Sequence, residues 1–134
     1  MTTFHFELVS PEKLLFSGEV ESVVVPGVDG QFTVLKDHAP VMSILKAGIV
    51  EIYETTNRAP EKLVVGGGFA DVAASGLTIL ADQATPLERF DTTQLAQDIR
   101  DAEDDLADAK TDEELKTAAG KLDQLRELKS VLGT

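Results

Sequence analysis

The chain is short of the residues that usually carry catalysis or covalent cross-links. Its 134 residues include no cysteine, no tryptophan and two histidines. Without cysteine there are no disulfides and no thiolate chemistry, and two widely separated imidazoles, those of His5 and His38, argue against a dedicated transition-metal site. We therefore expect no bound metal, and a fold that is held together by packing.

Long apolar runs are also missing. The most apolar stretch, residues 63–74, is interrupted by Asp71. Residues 1–9 lack the basic start and the apolar core of a signal peptide. We expect neither a signal peptide nor a membrane span.

Positive charge is scarce, with 12 Lys and Arg against 24 Asp and Glu and a net charge of −12. Residues 1–86 hold 11 acids and 5 bases, and residues 87–134 hold 13 and 7, so each part contributes −6. No basic stripe with interleaved aromatic residues occurs, which excludes nucleic acid as a partner. The partner surface that we expect is protein.

Residues 3–82 consist of short β-branched and aromatic runs separated by turn signals, which is typical of an antiparallel sandwich or barrel. In the first run, Phe4, Phe6 and Leu8 alternate with the residues between them. Turns are expected at residues 26–30, 47–48, 56–60 and 74–76. We predict about eight to ten strands. The acids interpreted as solvated positions are Glu19, Glu21, Glu51 and Glu54.

After Pro86 the apolar residues recur at spacings of three and four, which predicts two amphipathic helices. Their expected apolar positions are Leu95, Ile99, Ala102, Leu106 and Ala109, followed by Leu115, Ala118, Leu122, Leu125 and Leu132. Asp91 with Gln94 and Thr111 with Glu114 have the spacing of capping boxes, so each pair should mark a helix start. The chain then divides into a β-domain, residues 1–86, and a helical hairpin, residues 87–134.

The stability of the hairpin depends on what it packs against. Two helices of roughly 40 residues have little core of their own, so we expect a third surface, from the β-domain or from another protein. Gly120 lies in the middle of the second helix, where glycine costs about 1 kcal/mol relative to alanine. Either it permits close packing against Ala102 or a neighbour, or the helix has to change conformation.

No motif for catalysis is present. Residues 66–68 are three glycines, but no Lys-Ser/Thr pair of a phosphate loop follows, so we interpret them as a strand junction or bulge with close backbone approach. Nothing resembles a nucleophile elbow. The acidic cluster of the first helix is interpreted as an exposed face and comprises Glu103, Asp104, Asp105 and Asp108.

Three ordered blocks resemble the epsilon subunit of F-type ATP synthases. They read SPEKLLFSGEV at residues 10–20, PGVDGQFTVLKDHAP at 26–40, and GGFADV at 67–72 followed by TILAD at 78–82. Epsilon subunits commonly have Glu at the position of Gln31, Gly at that of Thr33 and Pro-Gly at those of Lys36 and Asp37. The resemblance covers nearly the whole chain and implies an α+β fold, with an N-terminal antiparallel β-sandwich of about ten strands followed by a C-terminal antiparallel two-helix hairpin.

The resemblance also implies a non-catalytic subunit of the rotor. The sandwich would bind the gamma subunit on one side and rest on the membrane-embedded c-ring at one end, which links proton flow to ATP synthesis. The c-ring contact would involve Gln31, Lys36 and His38. Because Gln31 is neutral, the contact should rely more on His38 and Lys36. Without the resemblance, His38 would be interpreted as a structural histidine.

In relatives the helical hairpin can extend along gamma into the alpha/beta catalytic head and inhibit ATP hydrolysis. The candidate contacts here are the bases of the second helix, Lys116, Lys121, Arg126 and Lys129. Residues 115–134 hold four bases and two acids. The strongly acidic first helix would oppose docking on an acidic segment of the head, so the sequence leaves two alternatives, a purely structural tail and an inhibitory tail.

Some family members bind ATP through a motif at the start of the first helix in which an Asp is followed by an Arg. Asp91 is present here, but Gln94 replaces the Arg, and losing a charge-assisted phosphate contact costs about 1.5–3 kcal/mol. Capping explains Asp91 without ATP. We expect no cofactor, with Asp91 as a weak candidate for ATP binding.

The simplest location is the cytoplasmic face of a bacterial inner membrane, held peripherally and without lipid insertion. A different class of function is a free-standing sandwich domain that binds a ligand or acts as an enzyme, with helices that form a dimer. Such a domain needs a concave polar site, and the sequence suggests none. An enzyme would turn over substrate alone, whereas a rotor subunit would associate with gamma.

Overall fold

A computed structural model describes residues 2–55 and 57–132 of the chain. The chain forms two compact units, residues 1–89 and 90–134. The predicted boundary after residue 86 lies three residues before this division.

The described residues of the first unit form eight strands, in the order β2-β1-β7-β6-β5-β3-β4 with β8 paired to β6. They are β1 (Phe4–Val9), β2 (Leu14–Val20), β3 (Ser22–Gly27), β4 (Gly30–Leu35), β5 (Val41–Tyr53), β6 (Glu61–Ala73), β7 (Gly76–Ala81) and β8 (Ala84–Pro86), and one turn of 3₁₀ helix follows at Leu87–Arg89. Only β1 and β7 pair in parallel among these strands; the other pairs are antiparallel.

One core joins strands from distant positions in this order. Phe6 and Leu8 of β1 belong to the same buried cluster as Val23 and Val25 of β3 and Val34 of β4. The sheet therefore folds over on itself, which gives the expected sandwich. The alternation of buried and exposed side chains predicted in β1 is confirmed at three positions. Phe6 and Leu8 are fully buried, and His5, which precedes Phe6, is exposed.

There are fewer strands than ten because the turn predicted at residues 47–48 does not form. Ala47 and Gly48 lie inside β5, where they pair with Gly66 and Val65. A Cβ added at Gly48 would lie 2.9 Å from Cβ of Pro26. Gly48 thus makes room for Pro26 of the neighbouring strand β3. The ladder between β3 and β5 is irregular here, and Pro26 has no N–H to donate to it.

The three glycines at 66–68 occupy a strand junction, as predicted. On one side of β6, residues 63–65 pair with β8, whereas residues 68–73 pair with β7. Gly67 and Gly68 have φ of 116° and 137°. A Cβ at Gly68 would collide with the carbonyl oxygen of Leu80, so the change of partner strand requires glycine here.

The predicted turns at 26–30 and 74–76 are confirmed. Gly27 pairs with Gly30, and Ala73 with Gly76, so each turn has two central residues. Between Tyr53 and Glu61 the chain turns from β5 to β6, and residue 56 of that predicted turn lies outside the described residues. Of the four acids predicted to be solvated, Glu19 and Glu54 are exposed, as predicted, whereas Glu21 and Glu51 are half-buried.

The second unit is a hairpin of α1 (Thr92–Asp108) and α2 (Asp112–Leu132). Asp91 caps α1 by accepting a hydrogen bond from the Gln94 amide at 3.0 Å. Thr111 Oγ1 accepts one from the Glu114 amide at 3.1 Å. Both predicted helix starts are therefore confirmed. Three residues, 109–111, join the helices.

The apolar stripe of α1 is confirmed at Leu95, Ile99 and Ala102, which are buried. In α2 the buried residues are Ala118, Leu122 and Leu128. Leu115 is exposed, contrary to the prediction, and Leu128 was not predicted. Leu115 lies in the first turn of α2, beside the connection, where little chain is available to cover it.

Gly120 does not serve close packing. It is exposed, and a Cβ added there would meet no atom within 4 Å. The prediction that it packs against Ala102 or a neighbour is therefore wrong. The acidic cluster of α1 is exposed, as predicted, and whether the hairpin needs a third surface stays a prediction.

Candidate functional site

Within residues 2–55 and 57–132, no group of three or more His, Asp and Glu side chains could hold a metal ion. None of the helices in the same part of the chain is long and apolar enough to cross a membrane.

His38 lies in the tight connection between β4 and β5. Its backbone N–H donates to the Leu35 carbonyl at 3.1 Å, and Asp37 adopts a left-handed φ of 66° to make this turn. The His38 Nδ1 lies 2.8 Å from the Ala39 carbonyl oxygen, so Nδ1 carries the proton and donates. In the neutral ring, Nε2 is then a free acceptor. The ring is half-buried and lies 6.3 Å from that of Phe32.

The three residues predicted for the c-ring contact do not form one cluster. Gln31 lies near the start of β4 and Lys36 just past its end, and both are exposed. Because a strand rises about 3.3 Å per residue, their Cα atoms are roughly 16 Å apart. His38 lines one depression of about 480 Å³ together with Lys36. It also lines an open groove of about 650 Å³ with Asp29, at the turn between β3 and β4, and with Phe32.

A row of outward-facing apolar side chains crosses the sandwich and continues from this groove. In the strand ladders, Ile44 of β5 is paired with Phe69 of β6, and Phe69 with Leu80 of β7. Leu80 is paired in turn with Val9 of β1, and Val9 with Leu14 of β2. Val28 joins the row at the groove, where its N–H donates to the Ile44 carbonyl at 2.9 Å. We call these six residues the outer apolar row.

The outer apolar row is accessible along most of its length. Five of its residues are 37% to 66% exposed and Val9 is half-buried, while the next residues along the strands, Leu45, Ala70 and Ile79, point into the core. A soluble monomer rarely exposes a large continuous apolar patch, so such a row usually marks a protein contact.

Acids border the outer apolar row. Asp71 of β6 pairs with Met42 of β5 and with Thr78 of β7, and Thr78 pairs with Glu7 of β1. This second line lies two residues along each strand from the row and on the same face. Met42, which is 65% exposed, extends the apolar surface into it.

Sequence reasoning missed the outer apolar row. A signal was available, because several strands carry apolar residues at consecutive positions, as at Ile79-Leu80 and Phe69-Ala70. A strand with one wet face shows alternation, so consecutive apolar residues indicate that both faces are covered.

The four bases predicted on α2 are all exposed, but they do not form one patch. At 100° per residue, Lys116 and Lys121 are separated by about 140° around the helix. Arg126 Nη2 donates to Glu103 Oε2 of α1 at 3.1 Å. Lys129 lines a shallow depression with Arg100 and Thr92 of α1. Two of the bases are therefore directed toward α1.

Asp91, the weak candidate for ATP binding, is engaged as the cap of α1. Gln94, three residues later, donates from its side-chain amide to Asp98 at 2.8 Å. Asp91 and Gln94 are thus both engaged within the helix.

Tyr53 is the titrating group whose environment is most clearly altered among the described residues. Its hydroxyl donates to Glu51 Oε1 at 3.3 Å. The negative charge of Glu51 raises the pKa of Tyr53 above 10.0, with smaller contributions from desolvation and from this hydrogen bond. Tyr53 and Glu51 lie on β5 away from the groove, so this pair reports on the fold rather than on a site.

Comparison with known proteins gives consistent results. Residues 3–87 match the family described as ATP synthase, Delta/Epsilon chain, beta-sandwich domain. ATP synthase epsilon chain 1 of Nitrobacter hamburgensis is 48% identical over 134 residues, covering 100% of this chain and 97% of that protein. The ATP synthase epsilon chain of Parvibaculum lavamentivorans is 47% identical over 125 residues, covering 93% and 94%.

Two solved structures share the fold. A chain in the Euglena gracilis mitochondrial ATP synthase (OSCP/F1/c-ring) matches with a TM-score of 0.82 at 22% identity, over 98% of this chain and 82% of that one. A chain in the central stalk/c-ring structure of the Tetrahymena thermophila mitochondrial ATP synthase matches with a TM-score of 0.64 at 14% identity, over 92% and 94%.

Proposed function

The chain belongs to the ATP synthase epsilon-chain family, and we propose that it is a non-catalytic subunit of the central stalk of a bacterial proton-translocating F-type ATP synthase. In this role it links the gamma subunit to the c-ring and helps to couple proton flow to ATP synthesis. Its location would be peripheral, on the cytoplasmic face of the inner membrane.

The outer apolar row is the observation that carries this proposal. A non-catalytic subunit acts through its surfaces, and this row crosses five strands of the sandwich with apolar side chains. We assign it to the gamma subunit. The acids beside it, Glu7 and Asp71, favour a partner whose apolar contact is bordered by basic side chains.

The c-ring contact is assigned to the two polar residues His38 and Asp29 of the groove, whereas Met42 and Ile44 of β5, which also line it, are assigned with the outer apolar row to gamma. His38 and Asp29 share the groove, and Gln31 lies on the adjoining strand start. Lys36 is at the far end of β4, so the charge that replaces the usual Glu is more simply supplied by Asp29. His38 and Asp29 are therefore the residues that we expect to govern binding to the ring.

Binding to the cognate gamma subunit tests the main assignment. Ile44→Asp places a carboxylate in the outer apolar row, where docking would have to remove its water. Losing the burial of one large aliphatic side chain is worth about 2 kcal/mol, so Kd for gamma should rise at least roughly 30-fold.

Leu35→Asp is the matched control. Leu35 is 56% exposed, close to the 66% of Ile44, but it lies on β4 outside the outer apolar row. It should bind gamma with a Kd within about threefold of the unmodified chain. Equal weakening by both substitutions would remove the row from the interface, and a chain that does not bind gamma at all would refute the proposed function.

The helical hairpin is proposed to have at most a weak inhibitory effect on ATP hydrolysis. Its bases are dispersed around α2, Arg126 is paired with Glu103, and α1 presents an acidic face that an acidic partner would repel. The test compares hydrolysis by the cognate catalytic head with the full chain, with residues 1–87, and with neither. Strong suppression by the full chain alone would contradict this assignment and direct attention to Lys116, Lys121, Arg126 and Lys129.

A further inference from the structure

We propose that Met42 is an oxidation-sensitive site and that its conversion to the sulfoxide prevents the sandwich from docking on the gamma subunit. This inference rests on the proposed function, because it concerns the same apolar surface. It adds a modification that would act on the subunit before it is assembled.

Met42 is one of only two sulfur-containing residues in the sequence. There are two methionines and no cysteines, and the other methionine, residue 1, lies outside the described residues. The Met42 side chain is 65% exposed. Oxidants therefore reach a thioether on the docking surface without any thiol in the chain to intercept them.

The position of Met42 makes the product costly for docking. It lines the groove with His38 and Phe32 and lies two residues from Ile44 on the same face of β5. A flexible, polarizable thioether suits an apolar contact. The sulfoxide is a strong hydrogen-bond acceptor and needs a donor when it is buried.

The described side chains of the groove offer the sulfoxide few donors. Asp29 is an acceptor, and the Nδ1 of His38 already donates to the Ala39 carbonyl. The Ser43 hydroxyl donates to the Ile44 carbonyl at 3.3 Å. Asp71, the cross-strand neighbour of Met42, is another acceptor.

The step requires a peroxide as the oxidant. The thioether sulfur attacks one oxygen of hydrogen peroxide, an S–O bond forms and the O–O bond breaks. Sulfur is oxidised to the sulfoxide, the peroxide is reduced, and the second oxygen leaves as water with both protons.

The experiment treats the isolated full chain with hydrogen peroxide, removes the peroxide and then measures binding to untreated gamma. Peptide mass spectrometry quantifies one added oxygen on the peptide containing Met42. We expect oxidation at Met42 and a rise in Kd of about tenfold or more. Treatment with both methionine sulfoxide reductases, one for each epimer, should restore binding.

Met42→Leu is the control, since it keeps the apolar volume and retains Met1. Its Kd for gamma, measured before and after treatment, should be insensitive to peroxide, while circular dichroism confirms that each protein remains folded. Full oxidation at Met42 with an unchanged Kd would overturn the inference. So would an equal loss of binding by peroxide-treated Met42→Leu.

The two proposals fail in different ways. If the untreated chain does not bind gamma, the proposed function fails, and the docking consequence of Met42 oxidation is refuted with it. If the untreated chain binds and the oxidised chain binds equally well, only the inference about Met42 fails. In the assembled complex, Met42 should be oxidised more slowly than in the free chain, and equal rates would place it outside the interface.

Discussion

Gly68→Ala should strongly destabilise the sandwich. Gly68 has φ of 137°, and its Cβ would collide with the Leu80 carbonyl oxygen and lie 2.9 Å from Cα of Ala81. These are backbone atoms of the paired strand β7, so they cannot move aside as a flexible side chain would. The β6–β7 ladder would have to separate locally.

Comparison with Gly30→Ala separates two contributions to the loss of stability in Gly68→Ala, the backbone conformation and the steric collision. Gly30 has a similar φ of 133°, but a Cβ there meets no atom within 4 Å. The backbone conformation alone costs about 1–3 kcal/mol. The collision at Gly68 adds about 1–3 kcal/mol of overpacking. Gly68→Ala should therefore lose roughly 2 kcal/mol more stability than Gly30→Ala.

Urea unfolding followed by tyrosine fluorescence measures this difference. The chain has one tyrosine and no tryptophan, and Tyr53 lies in β5, so the signal reports on the sandwich alone. Equal losses of unfolding free energy in the two variants would refute the reasoning, because it would mean that the approach of β7 imposes no steric demand at Gly68.

Three other predictions concern local interactions. The pKa of Tyr53 is raised by Glu51, so Glu51→Gln should lower it toward 10.0 in an absorbance titration of tyrosinate, and an unchanged titration would contradict this. Since the pKa is higher in the folded state, the contribution of Tyr53 to stability is complete below pH 10 and is lost as the pH rises through the raised pKa. Gly120→Ala should stabilise the hairpin by about 1 kcal/mol, because the new methyl group enters open space and helix propensity improves; a lower helical melting temperature would show that Gly120 has a packing role. Asp91→Ala should destabilise α1 by about 1 kcal/mol, while Asp91→Asn should have little effect. Millimolar ATP should not raise the melting temperature of either the unmodified chain or Asp91→Asn. Stabilisation by ATP that is lost in Asp91→Ala would instead identify a nucleotide site.

The division of the chain could be predicted from its sequence because the two halves have different apolar periods. Phe6 and Leu8 mark a strand by alternation, and Leu95, Ile99 and Ala102 mark a helix by spacings of four and three. These periods follow from backbone geometry, and the core confirms them. The helix starts at Asp91 and Thr111 were equally accessible, since a capping side chain acts within three residues.

Glycine was harder to interpret because the same residue serves different physical purposes. Gly30 and Gly76 occur at chain reversals and were predicted from neighbouring turn residues. Gly48 also looks like a turn residue, but its function is to admit Pro26 of an adjacent strand. Gly120 serves neither purpose. Close approach between strands depends on partners distant in sequence, which local patterns do not reveal.

The candidate site was predicted only in part for a related reason. Gln31, Lys36 and His38 belong to one continuous motif, and they were treated as one loop. The motif instead contains the whole of β4, which separates Gln31 from Lys36, while the turn at Asp37 returns His38 toward Phe32. The outer apolar row depends on the register of five strands and on the turn that brings Val28 to Ile44, so it becomes visible only when the strands are paired.

Proton-driven ATP synthesis by the cognate complex, depleted of this chain and then reconstituted with it, tests the central claim most directly. We predict that the depleted complex synthesises ATP poorly, that the full chain and Leu35→Asp restore synthesis, and that Ile44→Asp at the same concentration does not. Restoration by Ile44→Asp would contradict the docking surface. Synthesis that does not depend on the chain at all would contradict its assignment as a coupling subunit of the rotor.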